Sequence, residues 1–419
     1  MGTNRDFNAM LNEYLSIDLM KEELIKRDYL LQKVDRDDGW KSGTIPVPFE
    51  GQHATSVTFG ELEDVGEIAK YKYVRGQLTT YREAWGALRF EHRDLMEHDG
   101  KINEKSFLKI LPGQIEDFIT YMKMAVSVNL MDGPSFAKLT VDGNASGEIE
   151  VDRVDRFSID QKVELIDGDT AAAIFYVISI DVNGGTLEDG LVTLSASRGG
   201  AAADVSAYTV AQGAACYHLG AATESFTSLT SQLLSLANGG SAALYGQTKT
   251  AFPYLQAIQY NGASISASNL LENLFKAYTK RQLHAKSGKL PEFLMSYKHF
   301  GTVLQQLESS KGAFNVVPES RKASQFGWQE VMIGSVSGEL IKMVAVQEKA
   351  DSNIMCLDWD SITLYTNGFL QRRRAPDGLE YHSVRATTGF SYVLDHVLAG
   401  DIVVKAPWKN LIIHDIPNY

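Results

Sequence analysis

Cysteine is nearly absent: Cys216 and Cys356 are the only two in 419 residues. Two thiols cannot build a disulfide framework, so two ordinary buried thiols in a reducing interior are expected. Long apolar runs are missing too. No stretch approaches the ~18 apolar residues of a membrane-spanning helix, and the opening Met1-Gly2-Thr3-Asn4-Arg5-Asp6 is too polar for a secretion signal. Basic residues are outnumbered, since 40 Lys and Arg against 52 Asp and Glu leave a net charge of −12. Phosphate binding works by releasing counterions to Lys and Arg, which excludes an overall nucleic-acid clamp. Catalytic signatures are lacking as well: no phosphate loop, no dinucleotide fingerprint after a strand, no nucleophile elbow and no His-Glu-x-x-His. The nine histidines are scattered, and the pair His92 and His98 has no cysteine partner. Asp181-Val182-Asn183-Gly184-Gly185 lacks a third acidic ligand and reads as a hairpin turn rather than a calcium loop. No enzyme, cofactor or metal site emerges, and the expectation is a soluble intracellular protein of two to three domains' length.

What is present is a chain whose periodicity changes several times. Residues 1–40 are charged, with Phe7, Met10, Leu11, Tyr14, Leu19, Met20, Leu24 and Leu31 at helical spacing, which predicts one or two amphipathic helices. Residues 41–95 alternate instead, as in Tyr71, Tyr73 and Arg75 against Lys70, Lys72 and Val74, and predict a long hairpin that packs one face only. Over 103–132 the stripe Phe107, Leu111, Ile115, Phe118, Met122 and Val126 restores the helical period. Pro112 suits a first turn and Gly133-Pro134 a stop, so a helix over 112–131 is expected to act as a spine. Residues 135–219 carry short strands separated by Asp167-Gly168-Asp169, Asn183-Gly184-Gly185, Asp189-Gly190 and Gly199-Gly200, the pattern of a self-contained antiparallel barrel or sandwich. Residues 220–419 are mixed: a loop around Gly239-Gly240, helices near 266–285 and 300–307, and strands at 293–296, 340–346, 354–365, 379–386 and 402–405. The fold class is α+β.

Contact residues are the candidate sites. Arg75, Arg82, Arg89 and Arg93 lie along the extended arm, where fork-shaped donors suit carboxylates of another chain. Trp40 and Trp85, near its base and along it, read either as interface anchors or as core. Arg372-Arg373-Arg374, the only dense basic run, reads either as a contact with phosphate or an acidic partner, or as a solvated loop between strands.

The order of these parts resembles the major capsid protein of tailed bacteriophages, the Hong Kong ninety-seven type. By that resemblance, 1–40 is an N-terminal arm lying across a neighbour, 41–95 the β-arm called the E-loop, and 96–134 the peripheral domain with its spine helix. Residues 135–219, with the run KVELIDGDTAAAIFYVISIDVNGGTLEDGLVTLSA, are similar in style to inserted β-barrel domains of some members. Residues 220–419 then hold the axial domain, at roughly 225–370, and the rest of the peripheral domain. The resemblance implies a subunit that self-assembles as hexamers and pentamers into an icosahedral capsid around double-stranded DNA, assembled in the bacterial cytoplasm and ending in the virion. It further implies portal and possibly decoration proteins as partners, no membrane, and DNA held on the inner face without sequence specificity. Forty residues before the β-arm are too few for a fused scaffolding segment, so a separate scaffolding protein is implied. The cross-link some members make from an E-loop Lys has Lys70 and Lys72 available but no acceptor that the sequence can identify. An encapsulin-like nanocompartment and a tail or baseplate protein that binds glycan stand as alternatives.

Overall fold

A computed structural model describes residues 17–40, 43–50, 74–79, 82–91, 104–168, 172–185, 190–284, 291–309, 330–334, 340–372, 382–386 and 389–417. The expectations placed on Phe7 to Tyr14, Lys70, Lys72, Arg93, Arg373 and Arg374 lie outside the described residues. The chain divides into two compact units: Met1–Gln32, Arg82–Phe226 and Asn367–Gly400 form the first, and Lys33–Tyr81, Thr227–Thr366 and Asp401–Tyr419 the second.

The first elements in chain order are α1 (Ile17–Arg27), α2 (Tyr29–Lys33), β1 (Asp35–Asp37), β2 (Ile45–Phe49), β3 (Val74–Leu78), β4 (Arg82–Glu91) and α3 (Glu104–Met131). Asp28, fully buried, ends α1 and starts α2: its carboxylate accepts the Leu31 N–H at 2.9 Å and the Ser127 hydroxyl of α3. That satisfies one orphan amide of a helix start and ties α2 to the long helix. The 41–95 region is not one hairpin. β2 and β3 pair antiparallel, Ile45 opposite Leu78 and Phe49 opposite Val74, whereas β4 pairs with a strand some three hundred residues later in the chain. The spine helix also starts eight residues before the expected position. It has 28 residues, a length of about 42 Å, and Pro112 lies inside it. The apolar stripe already ran through Phe107 and Leu111, upstream of the proline, and that period outweighed the proline's preference for a first turn. Phe118, Ile119, Met122 and Val126 of α3 are buried, and Gly133, with φ 127°, closes its end by donating to Val128 O at 3.2 Å.

The barrel follows: β5 (Ser135–Val141), β6 (Glu148–Val151), β7 (Lys162–Ile166), β8 (Ala173–Asp181), β9 (Leu191–Ser195) and β10 (Ala215–His218) close in the order β10-β5-β6-β9-β8-β7. Closure comes from β10, which pairs with β5 on one side and β7 on the other. Val163, Leu165, Val177, Val192 and Leu194 alternate inward and are fully buried with Phe136, Ile149 and Val151. Turn chemistry sets the corners. Asn144 accepts the Glu148 N–H at 2.9 Å, and Asp181 accepts the Asn183 N–H at 3.1 Å, so the Asn183 segment is a turn leaving β8. Gly190, at φ 114°, passes so close to Val154 that a Cβ there would lie 2.5 Å from the valine's own.

The remaining strands are β11 (Ala243–Leu244), β12 (Gln247–Thr248), β13 (Ile258–Asn261), β14 (Glu292–Met295), β15 (Glu330–Gly334), β16 (Leu340–Ala345), β17 (Ile354–Leu357), β18 (Ile362–Arg372), β19 (His382–Ala386), β20 (Gly389–Val404) and β21 (Leu411–His414). Two helices lie among them, α4 (Leu270–His284) and α5 (Tyr297–Ser309). In the second unit a six-stranded sheet, β13-β21-β17-β14-β16-β15, packs with α4 and α5 around Leu274, Tyr278, Phe293, Phe300, Met343 and Ile413. Two expectations are corrected. The single strand at 354–365 is broken by a turn at Trp359–Ser361, where the Ser361 N–H donates to Asp358 O at 3.0 Å, and the short strand at 402–405 is the end of the 16-residue β20. The expected loop at Gly239-Gly240 is a turn: Gly239 caps Leu236–Asn238 in the left-handed conformation, and a Cβ on Gly240 would lie 2.1 Å from Leu234 O.

Candidate functional site

Two of the arm's arginines, Arg82 and Arg89, and Trp85 lie in the first unit, on β4. There β4 lies antiparallel to β20, Arg82 opposite Gly400 and Glu91 opposite Ser391. Its residues alternate: Glu83, Trp85, Ala87 and Arg89 are exposed, while Arg82, Ala84, Gly86 and Leu88 turn inward. Gly86 permits the inward packing. A Cβ there would lie 2.5 Å from Met122 Sδ and 2.7 Å from the Phe118 ring, so only glycine lets the strand rest on α3 at this depth. Leu88 is buried beside it, while Trp85 stays 48% exposed and Tyr121 of α3 44% exposed.

Beside β4 is a groove of about 450 Å³, lined by Trp85 to Arg89, by Gln114, Asp117, Tyr121 and Met122 of α3, and by Gln161 and His218. Five consecutive strand residues form one wall and α3, with Phe118 and Ala125 also in the lining, the other, so the open space lies between β4 and the long helix. Two residues of its lining hold a buried polar atom without a hydrogen-bond partner, Gln114 Oε1 and His218 Nε2, as does Arg82 at the start of the strand, through Nε. Arg82 spends its Nη1 on Thr223 O at 3.3 Å. His218 stacks on Phe136 at 4.5 Å, and burial first, then the Arg156 charge, lowers its pKa to about 4. On β20, opposite Gly86, His396 is fully buried 5.0 Å from the Phe118 ring. Burial, with the nearby Arg372 charge second, lowers it also to about 4. Both histidines are therefore neutral at physiological pH.

The other candidates go elsewhere. Trp40 belongs to the core of the second unit, 2% exposed among Val47, Phe49, Leu78, Leu255 and Tyr365, with its Nε1 donating to Gly43 O at 3.0 Å. The core reading therefore holds for Trp40, and it is not a surface anchor. Arg75 is exposed on β3, where its carbonyl accepts from Gln247 Nε2 at 3.0 Å. Arg372, half-buried, ends β18. Cys216 and Cys356 are free and buried; burial pushes both thiols up, Cys356 to about 12, which removes them as nucleophiles. Among the described residues no three His, Cys, Asp or Glu side chains are grouped to hold a metal ion, and no helix is long and apolar enough to cross a membrane.

Gln114, Tyr121, His218 and His396 were not among the sequence candidates. Tyr121 had a signal, an aromatic residue one position off the stripe through Phe118 and Met122. The histidines had none, because only the folded chain brings residues 218 and 396 to the neighbourhood of β4 and α3.

No family model and no curated protein matches the chain. Among solved structures it is similar to the capsid asymmetric unit of cyanophage A-1(L), at 11% identity and TM-score 0.46 over 92% of this chain and 91% of that one. It is similar to the capsid of a native GTA particle at 11% identity and TM-score 0.45, over 93% and 90%. The holo-SrpI encapsulin complex of Synechococcus elongatus PCC 7942 is similar at 8% identity and TM-score 0.39, over 93% and 89%. Likenesses of this size carry no argument about what the present chain does.

Proposed function

We propose that this chain is a structural subunit that assembles with copies of itself into a closed capsid of the tailed-phage type, without catalysis. The observation that carries the reading is β4: a ten-residue strand with Trp85, Ala87 and Arg89 outward, Trp85 about half exposed, beside an open groove shared with α3. A chain that functions alone forgoes the burial of a large aromatic side chain by leaving Trp85 48% exposed beside an open groove. A subunit that meets its neighbours there recovers the loss on assembly. Closing a shell from one kind of chain requires such incomplete surfaces on every copy.

The finer parts of the reading follow from the resemblance. The barrel at 135–219 is an inserted domain, β2 and β3 begin the E-loop, α3 is the spine of the peripheral domain, and much of the second unit is the axial domain. A scaffolding protein, a portal and packaged double-stranded DNA are the partners this assigns, with assembly in the host cytoplasm. Negative-stain microscopy of the expressed chain, alone and with a co-expressed scaffold, tests the proposal. Closed shells of uniform diameter are expected; a monodisperse monomer under every condition contradicts it.

A further inference from the structure

Among the described residues β4 bonds to β20 along one edge and to no strand along the other. An uncovered edge of this length is a template for another chain, and proteins that keep such edges single block them with Pro, Lys or a bulge. Arg82–Glu91 holds no Pro and no Lys, and its charged residues sit toward its ends, on either side of Ala84-Trp85-Gly86-Ala87-Leu88.

We propose that the open edge of β4 pairs antiparallel with β4 of a second copy, across a two-fold axis at Gly86, so that two sheets become one. This rests in part on the reading of the chain as an assembling subunit and names the partner of that surface. The occupant is identified by the strand's own charges. In an antiparallel ladder, directly opposite residues share a face, so only registers that set odd positions against odd ones keep Trp85 and Arg89 outside. With Gly86 opposite Gly86, the exposed Glu83 faces Arg89 of the second copy, Trp85 faces Ala87, and by symmetry each pair occurs twice. On the inner side Ala84 faces Leu88, and the position on the axis is the one that carries no side chain. Shifting the centre to Trp85 sets Arg89 against Tyr81 and Glu83 against Ala87; shifting it to Ala87 sets Glu83 against Glu91. One register alone pairs both outward charges with their opposites.

The test is charge reversal with restoration, read by sedimentation on full-length chains whose circular dichroism matches the parent. Glu83→Arg alone and Arg89→Glu alone each bring like charges together twice per interface and are expected to weaken association about tenfold. The two combined restore the pattern and should recover it. A second measurement fixes the register. Directly opposite Cα atoms lie about 4.5–5.5 Å apart, within disulfide reach. Mixing a Trp85→Cys copy with an Ala87→Cys copy should therefore give an oxidised dimer on a non-reducing gel that neither copy gives alone; the native thiols are buried and do not compete. Single reversals without effect, a combination no better than its parts, or no mixed dimer overturns the pairing. Wild-type shells without the mixed dimer overturn the pairing and leave the capsid reading standing. A mixed dimer from a chain that never closes a shell does the reverse.

Discussion

The barrel and the β4–β20 pair lie in the same compact unit and obey the same alternation of side chains, yet they end differently. β10 finishes the barrel by pairing with both β5 and β7, which leaves no edge, and its interior is filled by its own chain. Among the described residues β4 has a strand partner on one side only, and it keeps a tryptophan nearly half exposed. The difference teaches where this molecule is self-sufficient and where it is built to be completed. Closed pairing satisfies every strand from within the barrel; under the proposed assembly, the open strand is the one that a neighbour completes.

The largest expected effect lies on the closed side. Phe136, fully buried between Phe157 at 4.9 Å and His218 at 4.5 Å, fills one end of the barrel. Phe136→Ala should lower stability by about 3–5 kcal/mol in urea denaturation, and a much smaller loss would show that the barrel does not depend on that packing.

Acid should come next, and it probes the open side. The folded chain holds His396 neutral down to about pH 4, whereas unfolding restores its ordinary value of 6.5. The folded value is depressed, so the unfolded chain binds the extra proton: the penalty is absent above pH 6.5 and grows as pH falls toward 4. It amounts to about 3 kcal/mol at the acid end. His396→Leu should flatten this part of the stability profile, measured by urea midpoints between pH 7 and 4; an unchanged acid slope would contradict the assignment.

The smallest effect on the subunit, and the sharpest contrast, is at Trp85. Exposed side chains contribute little to folding, so Trp85→Ser should leave the unfolding free energy of the dissociated chain, from urea denaturation, within about 0.5 kcal/mol. The same substitution should cut shell yield in micrographs. Equal losses of stability and assembly would return Trp85 to the core.

Legibility in the sequence followed locality. The barrel could be read because its turns carry their own chemistry, Asn144 and Asp181 bonding to amides a few residues away. The spine could be read from its stripe, and misplaced only where a rule about Pro112 competed with the period. What could not be read was pairing at a distance. Arg82–Glu91 looks like the return strand of a hairpin with 45–49 and 74–78, and nothing local says that its partner is Ser391–Gly400. The candidate site divided the same way: Trp85 and Arg89 could be named from the alternating arm, Trp40 fell into the core instead, and His218 and His396 reach β4 and α3 only through long-range packing.

Hydrogen exchange on the dissociated subunit and on the assembled particle, compared at β4 and at β5–β10, tests the central claim most directly. The β4 amides that point away from β20 should exchange freely in the subunit and become protected in the particle, while the barrel amides stay protected in both. Outward β4 amides that are equally protected in the lone subunit would show that the chain already completes itself, and would contradict the account.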